Sequence, residues 1–171
     1  TDRHRLKLEA EARKYERTTS TAVEGINDKI DNRRVNGVYT FGARTAANQI
    51  DLGASYAQLR YDNADGINDD KERNTSGFIS TWYHRLGSNT RGLLEYDHTR
   101  FDYLQSGSTR SSRSNALLGG AEWDMSARTS GKLKVGYERK DFDERGASDL
   151  SNPTWQVDLR WKPRTYSTFT F

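Results

Sequence analysis

Strict two-residue alternation of apolar and charged side chains, repeated around tight turns, constrains this chain more than any other feature. Between residues 114 and 162 it occurs three times. ALLGGAEWDM sets Leu117, Gly119, Ala121, Trp123 and Met125 against Glu122 and Asp124. KLKVGYER sets Leu133, Val135 and Tyr137 against Lys132, Lys134 and Glu138. WQVDLRWK sets Trp155, Val157, Leu159 and Trp161 against Gln156, Asp158, Arg160 and Lys162. Successive strand side chains point to opposite faces, so each segment is a ribbon with one apolar and one charged wall. The apolar wall must pack on a second protein layer or face lipid.

Composition does not support a large protein core, which leaves a sheet whose partner is not protein or a poorly filled soluble sheet. Of 171 residues, 33% are apolar and 30% charged, and the mean hydropathy is −1.00. A two-sheet sandwich needs two apolar faces that cover one another. Here there is about one apolar face per strand. No segment reaches the roughly 18 to 20 apolar residues of a membrane-spanning helix, but a barrel strand needs only about 9 to 11 residues with every second one apolar. The chain starts TDRHRLKLE, without a signal peptide, and reads as a mature or excised segment. It has no cysteine, so thiolate metal sites and disulfides are excluded. A net charge of +3 comes from alternating signs, not from a basic patch, so nucleic acid is not an expected partner.

Short and long connections alternate. The short ones share a chemistry: Ala43-Arg44-Thr45, Ser88-Asn89-Thr90, Ala127-Arg128-Thr129 and Pro163-Arg164-Thr165. They repeat about every 40 residues, the length of one hairpin. Long polar loops are expected at 17–32, 62–74, 105–113 and 143–152. The strands between them fall near 4–16, 33–44, 49–61, 75–86, 91–104, 114–126, 130–142, 154–162 and 166–171. In the fourth, Ile79 and Tyr83 compete with Phe78 and Trp82 for the apolar face. The first is read as a strand although its residues favour helix, because Leu6, Leu8, Ala10 and Ala12 alternate strictly with charges.

Short turns at one end and long loops at the other are the layout of an outer-membrane barrel. Aromatics recur at both ends. Phe41, Trp82, Tyr83, Trp123, Trp161 and Tyr166 lie near short turns, and Tyr15, Tyr61, Phe101, Tyr103, Phe142 and Trp155 near long loops. Two aromatic girdles are therefore expected at two lipid boundaries. The expected fold is all-β: an antiparallel up-and-down transmembrane β-barrel forming one segment over 1–171. The odd strand count and the direction of its last strand, ending at Phe171, predict a partial barrel of about eight or nine strands from a longer chain. Glu95, Asp97, Glu122, Asp124, Lys132, Lys134, Asp158 and Arg160 are expected to face the lumen. Phe41, Leu117, Trp123, Leu133, Val135, Tyr137, Trp155, Val157, Leu159 and Trp161 are expected to face lipid and its boundaries.

The segment 114–171 resembles the putative beta-barrel porin 2 family. The resemblance is carried by Gly119 and Trp123 before a turn, Thr129-Ser130-Gly131 in it and Val135-Gly136-Tyr137 after it. The run Trp161-Lys162-Pro163-Arg164-Thr165-Tyr166-Ser167 completes it. It implies an outer-membrane barrel of a Gram-negative bacterium, with a link to capsule or exopolysaccharide production in some members. It transfers no functional residue.

Candidate chemistry is sparse, and the chain reads as a non-enzyme without cofactor. Asp97-His98 is the one adjacent acid–imidazole pair, but alternation sends the two to opposite faces. YDNADGINDDKE partly mimics a calcium loop, with Gly66 at the turn and Asn63, Asp65 and Glu72 at ligand positions. Tyr61 stands where the first aspartate belongs, so no metal site is assigned. Arg110 and Arg113 in a serine-rich loop could touch phosphate or anionic sugar. The expected function is passive passage through a charged lumen, as a channel or a structural part of polysaccharide export. Its partners are outer-membrane lipid, lipopolysaccharide, and polysaccharide or small solutes. The alternative is a soluble β-sheet module that binds carbohydrate through surface tryptophans.

Overall fold

A computed structural model of the chain describes residues 3–18, 27–63, 68–126, 129–144, 149–164 and 167–170. They form one antiparallel sheet in which every strand pairs with its neighbour in sequence. The strands are β1 (His4–Thr18), β2 (Asn27–Phe41), β3 (Asn48–Tyr61), β4 (Arg73–Arg85), β5 (Thr90–Tyr103), β6 (Ser112–Ser126), β7 (Thr129–Phe142), β8 (Leu150–Arg164) and β9 (Ser167–Thr170). This is an all-β, up-and-down sheet, open among the described residues because β1 and β9 do not pair with each other. Among the described residues, a 3-10 turn at Asp69–Lys71 lies in the loop before β4. The helix-prone first segment is a strand, held by pairing along its full length from His4↔Phe41 to Thr18↔Asn27.

Several strands extend past their sequence boundaries at the long-loop end. β2 starts at Asn27, not 33, β4 at Arg73, β6 at Ser112 and β8 at Leu150. The loops expected at 17–32, 62–74, 105–113 and 143–152 are correspondingly shorter. In these extensions the backbone ladder continues while the residues other than Ile30, Leu150 and Pro153 are polar, so alternation carries no signal there. The short turns at 43–45 and 88–90 are described in full, whereas Ala127, Arg128, Thr165 and Tyr166 of the other two lie outside the described residues.

Over the middle strands the two faces of the sheet differ sharply, whereas β1 and most of β8 are exposed on both. On one face, Glu95 and Lys134 retain 4% and 6% of their accessible surface. On the other, Val135 retains 56% and Trp155 73%. A single layer shields one face only by curving towards it, so that side chains converge there and splay on the reverse. Among the described residues the buried apolar side chains are Ile30, Tyr83, Leu93 and Leu118, all on the shielded face.

Register also sets the inclination of the strands. One row of paired residues on the open face runs His4, Phe41, Ile50, Trp82, Leu94, Gly119, Val135, Trp155 from β1 to β8. In β1 and β2 this row marks the short-turn border of the apolar run, which continues there to Ala12 and Val35. In β8 it marks the opposite border, since the apolar run continues from Trp155 to Trp161. The apolar band thus slides by about one residue per strand. At ~3.3 Å per residue and ~4.8 Å between strands, that stagger inclines the strands by roughly 35–40° to the normal of the band. Barrel strands tilt by this amount.

Two glycines permit close approach where β6 crosses β7. A Cβ on Gly120 would lie 2.0 Å from the Leu133 carbonyl oxygen, and one on Gly136 2.0 Å from that of Leu117. Both obstacles are backbone, so neither can yield cheaply. Gly120→Val or Gly136→Val should lower stability by about 2 kcal/mol or more, read as an earlier urea midpoint in detergent.

Candidate functional site on the shielded face

The shielded face of β3–β7 carries two polar clusters. The less accessible of them centres on the Lys134–Glu95 ion pair, with Nζ 2.7 Å from Oε1. The pair reaches from β7 to β5 across β6, over Gly120, which stands directly opposite Lys134. The second Glu95 oxygen accepts a hydrogen bond from the Thr81 hydroxyl at 3.1 Å. Leu93 and Leu118 exclude water around it.

Nearer the short turns, Arg91 organises a second cluster. Its guanidinium lies 4.3 Å from the Tyr83 ring centroid. It donates from Nη1 to Gln49 Oε1 and from Nη2 to Glu122 Oε1, each at 3.0 Å. Glu122 also accepts from Arg44 Nη2 at 3.0 Å, and Gln49 donates to Asp51 at 2.9 Å. Lys132 Nζ stands 3.4 Å from the Tyr83 hydroxyl. The planar, five-donor guanidinium suits this role, because it can stack and fork at once. Among the described residues no buried side-chain nitrogen or oxygen lacks a hydrogen-bond partner.

All eight charged residues singled out by alternation lie on this face. Glu95, Glu122, Lys132 and Lys134 belong to the two clusters. Asp97 accepts from the Thr99 hydroxyl at 3.1 Å. Asp158 stands opposite Lys132, and Arg160 and Asp124 both stand opposite Ser130. The ten apolar residues all occupy the other face, where Leu117 pairs with Tyr137, Leu133 with Val157, Val135 with Trp155 and Gly131 with Leu159. Phe41, Trp123 and Trp161 share it by the same register. The ambiguity in β4 resolves with Phe78 and Trp82 on the open face. Ile79 instead covers Gly53, and Tyr83 sits under Arg91.

The aromatic girdle at the long-loop end needs correction. Tyr15, Tyr61, Phe101, Tyr103 and Phe142 lie on the shielded face, because each is an odd number of residues from the apolar set of its strand. There Lys140 Nζ approaches the Phe101 and Phe142 rings at 5.5 and 5.3 Å. The open face carries Tyr56, Tyr96 and Tyr137 at that end instead. Proximity to a loop says nothing about face; parity does, and it would have found these three. Tyr83 likewise leaves the short-turn girdle for the shielded face, whereas Tyr166 lies outside the described residues.

The remaining candidates separate. His98 points to the open face, its Nδ1 2.8 Å from Asn115 Oδ1, and shares no site with Asp97. Glu72 accepts the Tyr61 backbone N–H at 2.8 Å, and Asn63 accepts that of Lys29 at 2.8 Å. Both are turned to protein groups, while Asp65 and Gly66 lie outside the described residues. Arg110 Nη1 is tied to Asp70 at 2.9 Å.

An open sheet with one charged and one apolar face, inclined like a barrel wall, matches one family along its whole length. The family described as Putative beta-barrel porin 2 aligns with residues 2–171. The chain belongs to this family. Members of the putative beta-barrel porin 2 family are named as β-barrel porins, which points to an outer-membrane location and away from catalysis. No curated protein gives a significant match.

Removing one partner of a buried ion pair strands the other charge, whereas removing both does not. Lys134→Met should therefore cost about 3 kcal/mol in urea unfolding. Adding Glu95→Leu to it should recover most of that loss.

Proposed function

We propose that the chain forms wall of an outer-membrane β-barrel in a Gram-negative bacterium, with residues 1–171 acting as one barrel segment. The two-faced single layer carries this reading: Leu6, Leu8, Val35, Leu52, Phe78, Leu94, Leu117, Val135 and Trp155 are all exposed on one face. In water such a continuous apolar surface would drive association. In a bilayer it is the expected lipid contact. The apolar run of β6, Leu117 to Trp123, spans roughly 20 Å along the strand and projects to roughly 16 Å at the tilt derived above, which fits within the ~25 Å band of known barrels. Trp82, Trp123 and Trp161 then mark one lipid boundary and Tyr56, Tyr96 and Tyr137 the other.

The shielded face becomes the lumen wall. Glu95, Asp97, Glu122, Asp124, Lys132, Lys134, Asp158 and Arg160 line it, with the Arg91–Tyr83 and Lys134–Glu95 clusters as its rigid parts. Passage is passive. The solutes are small hydrophilic molecules, or polysaccharide if the barrel serves export. Neither reading calls for a cofactor, a metal or a catalytic step. The lumen charges of both signs lie side by side, so single-channel recordings should give ohmic currents with weak preference between potassium and chloride.

Spin labels test the membrane reading. In lipid vesicles, labels at Val135 and Leu159 should be quenched by lipid-soluble oxygen, and a label at Lys132 by a water-soluble nickel chelate. The soluble carbohydrate-binding alternative predicts that oxygen has no preferential access to Val135. Native full-length protein recovered in the soluble fraction without detergent would also sink the barrel.

A further inference from the structure

We propose that the open face carries a basic belt, just beyond its apolar band at the long-loop end, that binds the phosphate groups of anionic lipid headgroups. Arg100, Arg113 and Arg139 form its centre. The proposal rests on the membrane reading above and adds to it a specific lipid class and the residues that recognise it.

Position is the first argument. On strand after strand, the first charged side chain past the apolar run on the open face is a cation. Lys14 follows Ala12 in β1, Arg33 follows Val35 in β2 and Arg139 follows Tyr137 in β7. Arg100 and Arg113 follow Tyr96 and Leu117, each after one polar residue, His98 and Asn115. The other end of the same face has no such row. Within the strands, its described residues there include His4, Phe41, Asn48, His84, Gly92, Thr90, Trp123, Thr129 and Trp161, without lysine or arginine. One border is basic and the other aromatic, as suits a bilayer whose two headgroup layers differ.

Charge crowding is the second argument. Arg100 and Arg113 stand directly opposite each other across β5 and β6. Like charges in that position oppose sheet formation. Both guanidiniums share one carboxylate, Asp143, each through Nη2 at 3.5 Å. Arg139 stands one strand further, opposite Asn115 and two residues nearer the apolar band. All three side chains are about half exposed, at 45%, 52% and 61%. Their other acidic partners lie farther from the band. Arg100 Nε is 2.7 Å from Asp102, Arg139 Nε is 2.7 Å from Asp141, and Arg139 Nη2 is 2.9 Å from Asp149. These contacts hold the guanidiniums by one edge and leave further N–H donors exposed.

A phosphate at the edge of the acyl layer therefore meets arginine before it meets aspartate. It offers oxygens to the forked donors and offsets the Arg100–Arg113 repulsion. The belt follows the band laterally over several strands, as an array of headgroups does, which assigns the phosphate to lipid and not to a free anion.

The test inserts the full chain into phosphatidylcholine vesicles doped with either bis-phosphorylated lipid A or its dephosphorylated form. Lipid retained by the extracted protein is counted by native mass spectrometry. The phosphorylated form should be enriched about tenfold over the dephosphorylated one, and the variant R100Q/R113Q/R139Q should lose most of that enrichment. Equal retention of the two lipids by the unaltered chain overturns the belt, and so does a variant that inserts and retains lipid as before. Displacement of the lipid by an equimolar amount of inorganic phosphate overturns the lipid assignment. If the variant does not insert, the two-lipid comparison on the unaltered chain still decides. Oxygen accessibility at Val135 in undoped vesicles is the separate control: its failure removes the membrane reading, whereas insertion without phosphate preference removes the belt alone.

Discussion

Everything in this structure depends on the register of one backbone ladder. Side chains alternate with a period of two, so a slip of one residue in any pairing would exchange the faces of every strand beyond it. Between β6 and β7 such a slip would bring Leu133 to the face of Glu95, and Lys134 to the face of Trp123. The cost would be an unpaired Glu95 with no cation in reach. Register is thus enforced from both sides at once: by apolar residues that must share the open face, and by ion pairs that close only across the shielded one.

The same ladder generates the shape. Because the apolar band slides by about one residue per strand, strands that pair perpendicular to their hydrogen bonds must lean relative to the band. On the charged face, Gly53, Gly77, Gly120 and Gly136 leave room where neighbouring groups crowd in. On this curved wall, side chains two strands apart come into contact. Lys134 reaches Glu95 over Gly120 in this way, and Arg91 reaches Gln49 over β4. A flat sheet of the same sequence would separate these partners by about 10 Å.

The two ends of the wall are chemically unlike. At the short turns, tryptophans close the apolar band, and the open face carries histidine and asparagine beyond them, with Trp82 and His84 both against Asn48. At the long loops, tyrosines close the band and arginine–aspartate pairs follow. Aromatic rings near those loops turn inward under Lys140 and Arg73. An orientation in a two-sided environment is therefore written into the open face, independently of loop length.

Much of this was legible before any coordinates. Alternation located every strand, because a half-buried ribbon leaves a period of two in the side chains. It separated the eight charged from the ten apolar residues, which the register keeps on opposite faces, and it chose strand over helix for 4–16 against local propensity. It faltered in β4, where Phe78, Ile79, Trp82 and Tyr83 are apolar in both parities. It also faltered at the long-loop end, where strands continue with polar residues on both faces and the period disappears. Which charge pairs with which, how the band slides from strand to strand, and that Arg100 meets Arg113 were decided by the tertiary structure alone. Those facts depend on the register between strands, and hydrogen bonds between distant segments set that register, whereas the pattern within any one segment determines only its two faces.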